Sequence, residues 1–186
     1  MPDTLPWTGD PDADALLAAD PLALLIGMLL DQQIAMEKAF RGPYDLTVRL
    51  DRPLDAADIA AMDRDVLTGL FRERPALHRY PASMAKRTQA LCAYLVDHYD
   101  GDVSRLWTEA FGGDDLLRRL LDLPGFGKAK ARIFIGVLGK RLGVAPEGWE
   151  ALAADWPSIA DVAAHDDIAK VRTAKRALKD AGTYPK

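Results

Sequence analysis

One cysteine, Cys92, stands in 186 residues. A single thiol excludes an intrachain disulfide, a cysteine-ligated iron–sulfur cluster and a multi-cysteine zinc site, and its default state is a buried, inert side chain. His78, His98 and His165 stand far apart without ligand spacing, so no metal site made of side chains is expected. β-Branched residues are sparse and alternating runs nearly absent, which argues against strands. The longest apolar run, Leu22 to Leu30, is too short to span a bilayer. Met1-Pro2-Asp3-Thr4 has neither a basic region nor a cleavable signal pattern, so the expectation is a cytoplasmic protein with no membrane contact. A general excess of positive charge is missing too. The net charge is -4, which speaks against a basic coat for nucleic acid.

What is present is apolar and helical. Apolar residues make up 49% of the chain, enough for one well-buried core or two small lobes sharing an interface. Ala, Leu, Asp and Arg dominate, and the reading is all-α. Charge is segregated. Asp3, Asp10, Asp12, Asp14 and Asp20 precede the first cation, whereas Lys170, Arg172, Lys175, Arg176, Lys179 and Lys186 crowd the end. A DNA-binding face needs only local positive potential.

Residues 1–14 read as an acidic lead that Trp7 pins to the body, with Asp12 or Asp14 capping a helix through Ala19. Asp20-Pro21 fits an N-cap followed by the first helical position. Leu22 to Leu30 is apolar almost all round, so that helix belongs deep in the core. It leads into Asp31-Gln32-Gln33, continues helically from Ile34 to Phe40, and is expected to break at Arg41-Gly42-Pro43-Tyr44. Short helices follow near Ala56 to Met62 and Val66 to Phe71. A long amphipathic one runs from Pro81 to Tyr99 with Met84, Leu91 and Leu95 inward, and a short one carries Trp107. Past Leu142 comes a Gly/Pro loop in which Pro146 is expected to open a helix. Ser158 is a candidate cap, and Ile168 to Leu178 forms a basic terminal helix.

The stretch that carries chemistry is Leu123-Pro124-Gly125-Phe126-Gly127-Lys128-Ala129-Lys130-Ala131. Leu116, Leu117, Leu120 and Leu121 mark a helix before it. Ala131, Phe134, Ile135, Leu138 and Leu142 mark one after it. Pro124 ends the first helix, and Gly125 and Gly127 permit a tight turn of bare backbone. The second helix then starts with unpaired N–H groups facing outward, a geometry that binds an anion such as phosphate. Lys128, Lys130 and Arg132 follow with no acid before Glu147.

The order hydrophobe-Pro-Gly-hydrophobe-Gly-basic resembles the helix-hairpin-helix of DNA-binding proteins. With the Gly/Pro loop after it, the chain is similar to the superfamily of DNA glycosylases named for that motif, which includes endonuclease III, adenine glycosylase and alkyl-base glycosylases. Leu25 to Gln33 is similar to the early helix of those enzymes, which ends in a Gln at the DNA interface. The resemblance implies two helical lobes with a groove between them: a central lobe of residues 22–122, and a second lobe of residues 1–21 plus 123–186. It implies double-stranded DNA containing a damaged base as partner, a flipped base in the groove, and a monomer.

Within that resemblance, Gly125, Phe126, Gly127, Lys128 and Lys130 are expected at DNA. The family often adds a monovalent cation there, bridging turn backbone and phosphate; no other cofactor is implied. Gln33 or Gln32 resembles the wedge that fills the hole left by the base, or else caps a buried helix. The family places an Asp at the start of the helix after the Gly/Pro loop. The ungapped position is Glu147, and Asp155 is the next acid of the expected type. A carboxylate there stabilises an oxocarbenium-like sugar and positions water. Tyr44, Trp107, Trp149 and Trp156 are candidate base-stacking aromatics. Bifunctional members carry a Schiff-base Lys at the position of Ala129, so no lyase step is expected. The implied activity is a monofunctional DNA N-glycosylase of base-excision repair. A non-catalytic module for distorted DNA and a helical interaction protein are the alternatives.

Overall fold

The computed structural model describes residues 2–185; Met1 and Lys186, read above as part of the lead and of the basic tail, lie outside them. Over the described residues the fold is all-α, with no strand. The α-helices are α1 (Pro11–Ala19), α2 (Pro21–Leu30), α3 (Met36–Leu50), α4 (Ala56–Ala61), α5 (Arg64–Arg72), α6 (Pro81–Tyr99), α7 (Arg105–Thr108), α8 (Gly113–Leu121), α9 (Lys128–Leu142), α10 (Trp149–Leu152) and α11 (Asp167–Asp180), with a 3-10 turn at Ile159–Asp161.

The nine residues from Leu22 to Leu30 are all buried, as a helix apolar on every side must be. α1, α3 and α6 pack around α2, and α4 and α5 lie against α6. A second group forms on α9, where Ile133 to Leu138 are all buried. α8, α10 and the 3-10 turn pack on it, α7 lies on α8, and α11 on the 3-10 turn. One continuous apolar core runs through both groups. α1 packs on α2 and α3 rather than with the C-terminal helices that the sequence grouping gave it. The lead reaches the second group: Trp7, fully buried, donates its indole N–H to the Val162 carbonyl at 3.1 Å. Among the described residues no single helix is long and apolar enough to cross a membrane.

Local chemistry explains most boundaries. Asp20 caps α2, its carboxylate accepting from the Leu22 N–H at 2.8 Å with Pro21 next. Asp20→Ala is expected to cost about 1 kcal/mol, the usual value of an N-cap. That lowers the thermal midpoint by about 2–4 °C in a chain of this size, measurable by thermal denaturation. Ser158 and Asp161 form a reciprocal cap on the 3-10 turn.

Four expectations change. Asp10, not Asp12 or Asp14, caps α1. Asp14 turns inward instead, accepting from the Trp7 and Thr8 N–H groups and the Thr8 hydroxyl. The helix does not continue from Ile34. Residues 31–35 are non-helical, and Gln33 has φ 57°. Pro43 does not break α3 but lies inside it. Met36, Ala39, Phe40, Pro43 and Leu46 form one buried stripe, and burying that stripe outweighs the hydrogen bond that a proline removes. Pro146 stays in the loop, and α10 starts at Trp149 after Gly148 in a left-handed conformation. Cys92 is buried, and burial pushes its thiol up to about 12, so it is inert at neutral pH.

Candidate functional site

The turn between α8 and α9 is held from inside and bare outside. Leu116 and Leu120 of α8, Leu123 and Phe126 are buried, and Phe126 meets Phe134 edge-on with ring centroids 6.1 Å apart. The Phe126 N–H donates to the Leu123 carbonyl at 3.1 Å and closes the turn. Gly125 has φ 86°, and a Cβ there would lie 2.5 Å from Leu29 Cδ1, so the turn sits directly on the end of α2. Gly127 is different. It is exposed, extended at φ -89° and ψ 174°, and a Cβ there would meet nothing within 4 Å. It precedes α9 without a side-chain cap, and the N–H groups of Gly127, Lys128, Ala129 and Lys130 meet no acceptor among the described residues. Four such donors at a helix N-terminus have the geometry to receive an anion.

Two of the residues expected at DNA face elsewhere. Phe126 is an internal anchor, because an aromatic ring at the corner gains more by filling the α8–α9 core. Lys130 does not point at solvent. Its ammonium donates to the Met28 and Leu29 carbonyls at 2.6 and 2.8 Å. Those oxygens lie at the C-terminal end of α2, where partial negative charge attracts a cation. Burial pulls the Lys130 amine down to about 8, with the charge of Asp31 working the other way. Lys128 is exposed.

The two glutamines separate. Gln32 is tied down: its amide donates to the Leu29 carbonyl at 2.8 Å and its side-chain oxygen accepts from Arg87 at 3.2 Å. Its main-chain carbonyl lies 2.9 Å from His78 Nε2, while His78 Nδ1 accepts from the Tyr80 N–H at 3.0 Å. His78 is therefore a neutral Nε2–H tautomer, and burial holds its pKa below the ordinary value. Gln33 is exposed, in the left-handed region. Such strain in a non-glycine residue clusters at functional sites.

Beside the turn lies a cleft of about 630 Å³ between residues 31–36, the first turn of α9 and α11. Asp31, Gln33, Ala129, Lys130, Lys175 and Tyr184 are among its lining residues. Asp31 is the C-cap of α2, its N–H bonded to the Gly27 carbonyl. Burial raises its carboxyl pKa above the ordinary value; Lys175, Lys130 and Lys179 oppose the shift and Glu37 adds to it. A second depression, of about 740 Å³, is lined by Asp63, Arg64, Asp65, Lys86, Gln89 and neighbouring alanines, and holds none of the expected site residues.

The expected catalytic acids are not in the cleft beside the turn. Glu147 is exposed in the α9–α10 loop, where its carbonyl accepts from the Gly113 N–H at 2.8 Å. Asp155 is exposed, pairs with Arg132 at 3.4 Å and lines a different depression, between residues 155–157 and α11. Nor do the expected aromatics line it. Tyr44 lies beside α1 residues Ala15 and Leu16. Trp107 packs on Phe134. Trp149 covers Gly139 of α9, and buried Trp156 lies under the Arg132 guanidinium at 4.8 Å. The cleft's own aromatic is Tyr184, with Lys179 Nζ 5.2 Å from its ring centre. Among the described residues no group of three His, Cys, Asp or Glu stands close enough to hold a metal ion.

Asp31, Lys175, Lys179 and Tyr184 are the site residues that sequence reasoning did not assign. The available signals were a polar triplet directly after a buried helix and the lysine spacing of a basic terminal helix. No protein-family model, no curated protein and no solved structure matches the chain.

Proposed function

We propose that the protein is a monofunctional DNA N-glycosylase of base-excision repair, acting as a monomer on double-stranded DNA with a damaged base. The observation that carries the reading is the set of free amides from Gly127 to Lys130 at the edge of the cleft. A glycosylase must grip the backbone while one nucleotide leaves the stack, and it needs a concave site for that nucleotide within reach of the grip. In this reading the amides hold a phosphate and Lys128 adds attraction. Gln33, an exposed residue of the cleft's lining, fills the gap left by the base. The carbonyls of Pro124, Gly125 and Phe126 accept no backbone hydrogen bond, so the turn has oxygens to offer a bridging monovalent cation.

The test is release of free base from a panel of lesion-bearing duplexes in single turnover. The expected result is an alkali-labile site at one lesion class. DNA affinity should also fall with salt, with a log–log slope of about -0.9 per phosphate held. A second reading is favoured by the placement of Glu147 and Asp155 outside the cleft: a non-catalytic module that grips distorted DNA. Salt-sensitive binding without release of any base would select it. Binding that ignores salt and sequence context alike would remove both.

A further inference from the structure

The glycosylase reading needs a carboxylate in the cleft. Asp31 is there. Its side chain makes no hydrogen bond or ion pair among the described residues, although it stands between Lys130 of α9 and Lys175 and Lys179 of α11. Burial and the partial negative charge at the C-terminal end of α2 both disfavour a carboxylate at this point, and the three lysines offset only part of that cost. Lys130 is occupied by the two α2 carbonyls. On α11, Arg172 is paired with Glu37 and Arg176 with Asp180. Among the described residues Lys175 and Lys179 meet no carboxylate within 4.0 Å. Among the described residues Lys175 Nζ has a hydrogen-bond contact with the Met36 sulfur at 3.9 Å. Five cations against two carboxylates line the cleft, so its lining is net positive, and Asp31 is the lining acid without an ion pair among the described residues.

We propose, building on the glycosylase reading, that Asp31 is the carboxylate that activates water in the cleft, that Lys175 and Lys179 hold the departing base as an anion, and that the substrate is therefore an uncharged, oxidised or deaminated base. In the step, the water oxygen forms a bond to C1′ of the sugar and its proton passes to the Asp31 carboxylate. The N-glycosidic bond breaks with its electron pair on the base nitrogen, and the anionic base then takes a proton. A base already positive from alkylation leaves as a neutral molecule. It gains nothing from the two ammonium groups and is repelled by them on entry. Burial raises the basicity of the Asp31 carboxylate, which suits a general base.

The experiment measures single-turnover release at saturating enzyme from duplexes containing uracil, hypoxanthine, an oxidised purine or cationic N-methylated guanine. Asp31→Asn is expected to slow release by at least about a hundredfold while lesion-duplex affinity stays within about threefold. Lys175→Met/Lys179→Met is expected to slow the uncharged bases at least about tenfold more than N-methylated guanine. Full release by Asp31→Asn, or faster release of N-methylated guanine than of every uncharged base by the wild type, overturns the proposal and leaves the glycosylase reading standing. If the wild type releases no base from any duplex, the glycosylase reading falls and takes the proposal with it.

Discussion

A Gly127→Thr variant is expected to fold as well as the wild type and to bind duplex DNA at least about tenfold more weakly, since each charge-assisted hydrogen bond to a phosphate contributes roughly 1.5–3 kcal/mol. Space and backbone both admit the new side chain. A Cβ at Gly127 meets nothing within 4 Å, and φ -89° with ψ 174° is extended backbone that β-branched residues adopt readily. Threonine caps a helix about as well as glycine, so α9 loses no stability. What changes is the outside. The hydroxyl takes one of the free amides and the methyl group occupies the place of a phosphate oxygen. Gly125→Val provides the contrast. At φ 86° a side chain is strained, by roughly 1–2 kcal/mol. Its Cβ would also press on Leu29 Cδ1 from 2.5 Å, and overpacking adds about 1–3 kcal/mol. A fall of about 10 °C in thermal midpoint follows for a chain of this size. Thermal denaturation and fluorescence anisotropy on both variants separate the roles: one glycine serves the fold, the other the ligand. Undiminished DNA affinity in Gly127→Thr would take the turn out of the interface.

That division was not legible in the sequence, where the two glycines look equivalent. The turn itself was, because proline, glycine spacing and the periodicity of Leu116, Leu120, Phe134 and Leu138 are local signals. So was α2, since a run apolar on every side leaves one place for a helix. Pro43 inside α3 was not, because the packing that overrides a local breaker is set by α1 and α2. The candidate site follows the same rule. Lys130 reads as a surface cation until the end of α2 is seen beneath it. Asp31 and α11 lie far apart in sequence, and their meeting in one cleft is a tertiary fact that periodicity does not contain. Spacing after the turn points to Glu147, but the loop from Gly143 to Gly148 carries it over to Gly113 instead.

Between pH 8 and 10.5 the wild type is expected to gain stability relative to Lys130→Met. An unfolded lysine loses its proton near 10.5 and the folded Lys130 near 8, so across that window the unfolded chain binds a proton that the native state has already released. Stability then rises with pH, by at most about 3 kcal/mol in all, since each unit of difference is worth about 1.4 kcal/mol. Below the window both states are protonated and the cost of burying the ammonium is fully present. Methionine has a similar shape and no charge to bury, so its variant lacks this rise. Urea unfolding of both proteins at several pH values gives the comparison. Parallel curves would mean that the ammonium remains hydrated rather than pressed against Met28 and Leu29. Asp31 works in the opposite sense. Its raised pKa means that the native state holds a proton which the unfolded chain has lost, so its ionisation lowers stability as pH rises from the ordinary carboxylate range. Asp31→Asn should therefore be the more stable protein at neutral pH, and the difference should vanish in acid. A position where a neutral isostere strengthens the fold and stops base release is one where the carboxylate serves the reaction, because the fold alone would favour its loss.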